Sequence, residues 1–281
     1  MTDFLVLLND PSIRLAVPVI RETLGWALDR VRKHRENAPK HLRDAADDNL
    51  KAFSDRLLDK LLERVNVDPS RQALIIENLQ DPSGAAEAER AFDAATEISD
   101  HFTRESLADL VARAMTSRRD SAETIATKIA TDASKYLSER QLRLLAFMMV
   151  VMGTRPDFTG TVSTSEEWTP IVIQWLRTFA SRVIVDNPSH LDLAILEAAG
   201  VVTVVPNIVS YQLNAAYSFN TVVPDLTEFF QTDPLGVRIK ASFDVVMRHR
   251  LNLAGRLLAV TAAGLITGFH TKMGEFISQE I

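Results

Sequence analysis

The chain has 281 residues, of which 46% are hydrophobic and 24% charged, and a formal net charge of −6. That balance excludes a disordered or collagen-like chain and leaves enough apolar mass for one large or two ordinary domains. With no Cys, disulfides, thiolate metal sites and a Cys nucleophile are excluded, and only 10 Gly disfavour a β-rich fold with many glycine turns.

In chain order, the first ten residues, MTDFLVLLND, have neither a positive leading region nor a long apolar run, so no signal peptide is expected. The first helix is predicted from Ser12 to Arg35, on a stripe of Ile13, Val17, Ile20, Leu24, Ala27 and Val31 spaced three and four apart. Pro18 lies inside it and is expected to kink or restart it. A link containing Asn37 and Pro39 leads to a second stripe, Leu42, Ala46, Leu50, Phe53, Leu57, Leu61 and Val65. Two such helices form an antiparallel hairpin. Their seams pair with each other or with another copy, which makes Val17, Ile20, Leu24, Leu50, Phe53 and Leu57 candidate interface residues. Asp68-Pro69-Ser70 stops the second helix and caps a short one, Arg71 to Leu79. Past Asp81-Pro82-Ser83-Gly84, an alanine-rich helix is predicted from Ala85 to Phe102. Thr103 then caps a segment reaching Ser117, and Asp120 or Ser121 caps one reaching Tyr136. Residues 1–137 therefore read as a helical domain opened by a helical hairpin.

The texture changes at Leu137. Ser138 and Gln141 have capping-box spacing and open an apolar helix from Leu142 to Met152. Gly153, Pro156 and Gly160 mark a loop. Ser165 caps a helix whose face is Trp168, Ile171, Val172, Trp175, Phe179 and Val183, with both tryptophans read as core. Asp186-Asn187-Pro188 ends it, a third helix follows over His190–Ala199, and Gly200 stops that one. Val201 to Val205 reads as a strand. Residues 206–241 are mixed, with a small helix near Asp225–Phe230, and Val245 to Arg250 reads as a second strand. Asn252 starts the final helix. There, Gly264 and Gly268 permit close backbone approach and are candidate interface positions.

The order of three helices, strand, connection, strand and helix is carried by two stretches. One is Leu193-Ala-Ile-Leu196 running to Gly200 and Val202, and the other is Arg250-Leu-Asn252-Leu-Ala-Gly255-Arg256-Leu. Together they resemble a winged-helix domain, in which Asn252 serves as the cap ahead of the last helix. The resemblance implies a mainly α chain, an N-terminal helical bundle followed by a winged-helix-like α+β domain over 138–281. Its small β-wing carries an insertion at about 206–244. A winged helix implies DNA binding as one function, with Arg248, Arg250 and Arg256 as the nucleic-acid-binding candidates. The charge disfavours it: both 1–137 and 138–281 carry more acidic than basic side chains, and the third helix offers His190, Asp192 and Glu197.

A second set of segments is Arg104 to Met115, Ile125 to Ile129, and Leu137 to Ala146. Their apolar pattern and helix starts are similar to the abortive infection alpha type and related uncharacterised bacterial helical families. That resemblance implies a role in defence against phage without a known chemistry.

Asp93, Glu97 and His101 have metal-like spacing on what reads as one helix, and a solvated face is the preferred reading. The basic run around His34, Lys40 and His41 is offset by Asp44, Asp47 and Asp48. No nucleophile elbow, phosphate loop, dinucleotide fingerprint or zinc signature is present, so no enzyme activity, cofactor or metal is expected. The apolar run Leu257 to Phe269 has 13 residues, against about 20 for a span, so it reads as a core helix with no stable membrane span. The expectation is a cytoplasmic, non-enzymatic helical interaction protein with a protein partner or a homo-oligomer. The alternatives are a winged-helix transcription regulator and a membrane-active effector that exposes its last helix.

Overall fold

The computed structural model describes residues 11–117, 122–154, 156, 161–205, 214, 217–219 and 221–268. The leader reading of the first ten residues, the side chain of Ile13, the caps at Asp120 and Ser121, and Gly160 and Phe269 lie outside the described residues. The chain is mainly helical and forms two compact units, Met1–Tyr136 and Leu137–Ile281.

The first unit contains α1 (Pro11–His34), α2 (Lys40–Val67), α3 (Arg71–Gln80), α4 (Pro82–Glu97), α5 (His101–Met115) and α6 (Ala122–Ser134). Its core is built from the predicted stripes. Ile20, Leu24, Leu50, Phe53 and Leu57 are at most 2% exposed, and Val17 is half-buried against them. Phe53 meets Phe92 of α4 edge-on at 5.2 Å between ring centroids. These positions, expected as candidate interface, are therefore occupied by the unit's own interior. Pro18 breaks nothing: α1 runs through it, with the ring on the exposed face.

The caps differ from expectation in an instructive way. Ser70 makes no side-chain cap to α3. Instead Asp68 Oδ1 accepts from the Ser70 N–H at 3.1 Å and hydroxyl at 2.6 Å. The alanine-rich helix ends at Glu97 rather than Phe102. Asp100 then caps α5, accepting from the Phe102 N–H at 3.0 Å and the Thr103 N–H at 3.2 Å. A short carboxylate that bonds its own backbone competes with helix continuation, so Asp100 both stops α4 and starts α5.

The second unit contains α7 (Glu139–Met148), α8 (Ser165–Trp175), α9 (His190–Ala198), β1 (Val202–Val204), α10 (Thr227–Thr232), α11 (Pro234–Val246), β2 (His249–Leu251) and α12 (Leu253–Thr267). The expected Gln141 cap holds, its Oε1 accepting from the Ser138 N–H at 3.1 Å. Thr164, not Ser165, caps α8 through its hydroxyl. Both α7 and α8 end in wide π turns, Met149–Gly153 and Leu176–Ala180, which packing between the two places side by side. Tyr217 is fully buried and donates its hydroxyl to the Val151 carbonyl at 2.9 Å, while Trp168 Nε1 donates to the Tyr217 carbonyl at 2.5 Å. Trp168 is core as expected, and Trp175 is half-buried against Phe179 and Tyr217.

β1 and β2 pair antiparallel, with Val202 opposite Leu251 and Val204 opposite His249. Val245 and Val246, expected in the second strand, close α11 instead. The sequence there reads as β-branched, but Asp233 caps a 13-residue helix by accepting from the Leu235 and Gly236 N–H groups, and the helix absorbs the two valines. α12 lies against α7 and, apart from the half-buried Arg256, is buried from Ala254 through Gly264. Gly268 is a left-handed C-cap at φ 73° with open space around it, so Gly264 and Gly268 are a buried residue and a helix stop rather than a packing pair. The close approach belongs to Gly255. A Cβ there would run into the Val201 carbonyl, 3.0 Å from its carbon. Gly255→Ala is expected to destabilise the protein by about 2 kcal/mol, read as a lower urea midpoint. An unchanged midpoint would mean that the start of α12 has room to move.

Candidate functional site

The three arginines proposed for nucleic acid do not form one free surface. Arg248 is exposed, but Arg250 and Arg256 are half-buried, and Arg250 Nη1 turns onto the Met247 and His249 carbonyls at 3.4 and 3.2 Å. On α9, Asp192 is 5% exposed, and Glu197 Oε1 lies 2.8 Å from His249 Nε2. Asp192 is the N3 carboxylate of a capping box with Ser189 and also accepts from Arg140 Nε at 3.0 Å and Gln141 Nε2 at 2.9 Å. Burial alone would raise its pKa, but Arg140 and the Ser189 donors outweigh that and hold it at about 2. It is a structural clamp.

The Asp93, Glu97 and His101 spacing dissolves because His101 sits on the next helix. Arg35 takes Asp93 and Glu97 at 3.1 and 3.4 Å, and His101 faces Glu105. Among the described residues, no group of three His, Asp or Glu side chains is placed to hold a metal.

In the first unit, a polar ladder runs along the seam of α2 and α5. Arg104 Nη1 donates to Asn49 at 2.7 Å, Arg56 pairs with Glu105, and Arg64 Nη2 donates to Asp109 at 3.1 Å. Asp109 is 4% exposed. Burial pushes its pKa up, but Arg64, Arg113 and Lys60 prevail and hold it below the ordinary range. A small cavity elsewhere in this unit is lined by Asn78, Glu87, Thr124, Thr127 and Thr131. Burial raises the Glu87 carboxyl there against the pull of Lys128 and Arg90.

The outer face of α6 carries exposed large apolar side chains. Ala126, Ala130, Ala133 and Ser134 are buried and small, so the helix lies close against α4 and α5. Lys128 reaches Glu87 at 4.0 Å and Lys135 reaches Asp93 at 3.6 Å, which pins both edges to α4. The large apolar side chains point the other way. Ile125 is 61% exposed, Ile129 48% and Tyr136 72%. Ile125 and Ile129, four apart on α6, share one line with the exposed Asp132, and Tyr136 lies in the turn just past the end of the helix. The sequence reading missed this face because it followed large apolar residues to find the core. The readable signal was the opposite one, since small residues at 126, 130, 133 and 134 mark the packed side.

No curated protein and no solved structure matches the chain. Residues 22–237 match the model of an uncharacterised family whose description reads “:-like”. The match runs from within α1 into α11 and takes in the whole of α6, and the chain belongs to that family.

Proposed function

We propose that the chain is a non-enzymatic helical interaction protein acting in abortive infection against phage, and that its partner docks on the outer face of α6. The observation that carries this is the exposed Ile125 and Ile129 on a helix whose other side is packed with small residues, with the exposed Tyr136 in the turn that follows it. Two large apolar side chains one turn apart, with an aromatic just beyond the helix end, are an anchor pattern for a second helix. Asp132 lies within the line and pairs with no cation among the described residues, so the partner is an amphipathic helix of another protein with a basic residue facing Asp132. The stretch from Ile125 to Ile129 is also one of the segments that resembles the abortive infection alpha type. The second unit, with its three helices, paired strands and closing helix, serves in this reading as a winged-helix-like structural module. A membrane-active reading has less support: α12 forms the interior of its unit, and no helix among the described residues is long and apolar enough to cross a membrane.

The test combines Ile125→Ser and Ile129→Ser in the full chain. Surface changes of this kind move stability by roughly 0.5 kcal/mol or less, so the thermal midpoint should stay near that of the wild type. The double variant should lose both phage protection and the single adduct trapped by a photo-crosslinker at Tyr136. Asp132→Lys should lose the adduct as well. Protection and adduct both retained in the folded double variant would overturn the reading.

A further inference from the structure

One end of the α2–α5 seam holds more positive charge than the protein itself neutralises. Lys60, Arg64 and Arg113 have side chains 7%, 19% and 15% exposed, and among the described residues the only carboxylate of the seam buried as deeply beside them is Asp109, at 6%. Asp109 Oδ1 accepts from Arg64 Nη2 at 3.1 Å, while its Oδ2 is 4.0 Å from Arg113 Nη2. Glu63, which meets Lys60 at 3.0 Å, is 57% exposed. Arg113 is thus a mostly buried guanidinium that donates no hydrogen bond among the described residues, and its Nε and that of Arg64 have no partner. Arg71, the first residue of α3 and 34% exposed, adds a third guanidinium close enough to disfavour the charged form of Arg64, as Arg113 does. Its own Asp68 contact is a single one at 3.3 Å.

We propose that Arg64, Arg71 and Arg113 form a binding site for a small phosphate-bearing anion. Among the described residues, Arg64, Arg71 and Arg113 face only Asp109 and the single Asp68 contact, which leaves one positive charge in excess for a phosphoryl group to offset. Its oxygens accept from several forks at once, the geometry that guanidinium provides and a single carboxylate does not exhaust. Binding at the mouth of the seam, where Arg71 is accessible, ties α2, α3 and α5 together. This gives the first unit a ligand input separate from the α6 face.

The test is calorimetry and thermal unfolding of the full chain with inorganic phosphate, pyrophosphate and adenosine monophosphate, against chloride at matched ionic strength. Saturable binding of phosphate with a rise in the unfolding midpoint is expected, absent with chloride. Preference for the nucleotide would identify a nucleotide source, and equal affinity a free phosphate. Arg113→Gln should weaken binding at least tenfold, with Arg113→Lys between the two. Arg71→Gln, at a more accessible position, keeps the test open if the Arg113 variants fold poorly, and phosphorus NMR line broadening then reads binding directly. A response to phosphate equal to that of chloride, or unaltered affinity in both glutamine variants, would overturn the proposal.

Discussion

Asp109→Ala is expected to cost about 4 kcal/mol of stability, the largest effect of any single change considered for the first unit. The carboxylate lies between Arg64 and Arg113 and near Lys60, so its removal leaves three cations within the seam with no buried counter-charge. The loss exceeds the net worth of the ion pair, because the remaining charges keep their desolvation penalty while losing the attraction that offset it. Urea unfolding followed by circular dichroism reads the change. The control is Arg64→Met with Asp109→Leu, which removes a charge of each sign and should recover part of the loss. An Asp109→Ala midpoint equal to that of the wild type would show that the seam admits water freely. The wild-type carboxyl titrates below its ordinary value, so its contribution is present above the unfolded value of 3.8 and fades as acid protonates it.

Asp192→Ala is expected to cost about 3 kcal/mol in the second unit. One side chain completes the start of α9 through Ser189 and joins α9 to α7 through Arg140 and Gln141. Arg140 Nη2 also donates to the Asn187 carbonyl at 2.9 Å, in the left-handed turn that precedes α9, so losing its anchor loosens that turn as well. The pH dependence carries its own sign. A folded value of about 2 against 3.8 unfolded means that the charged form favours the folded state. At about 1.4 kcal/mol per unit this amounts to roughly 2.5 kcal/mol. It is fully present above pH 4 and is lost between about pH 4 and 2. Asp192→Asn should flatten the stability profile in that window, and an unaltered acid limb in the variant would refute the assignment.

Much of the helical architecture was readable because the stripes in α1 and α2 have one dominant face. Ile20 and Phe53 lie where their spacing puts them. The same stripes could not say whether the face meets the chain's own α4 or another molecule, since burial looks alike in both cases. The break between α4 and α5 was missed because the apolar spacing continues past Glu97 through Ile98 and Phe102, while the stop resides in the backbone hydrogen bonds that Asp100 accepts. α11 was missed for the converse reason: Val245 and Val246 favour a strand locally, and the cap at Asp233 with tertiary packing overrides them. Of the site residues, Asp192 was legible only as an acidic side chain of the third helix, because its use as a clamp depends on Arg140, 52 positions away. The α6 face was hidden by the habit of equating large apolar residues with the interior.

The wide turn at Met149–Gly153 has a consequence for how this chain tolerates length changes. Such a turn accommodates one residue more than the regular helix would, so the placement of the residues within it depends on that extra residue. Removing a single residue there, for instance Val150, would restore regular pitch and draw Val151 one position back, about 100° around the helix axis. The carbonyl of Val151 would swing away from the Tyr217 hydroxyl, and with it the tie that holds Trp168 through the Tyr217 backbone. One-residue deletions at this point should therefore be as disruptive as much longer deletions in an exposed loop, and the extra residue is better viewed as a position-setting part of the second unit than as an irregularity.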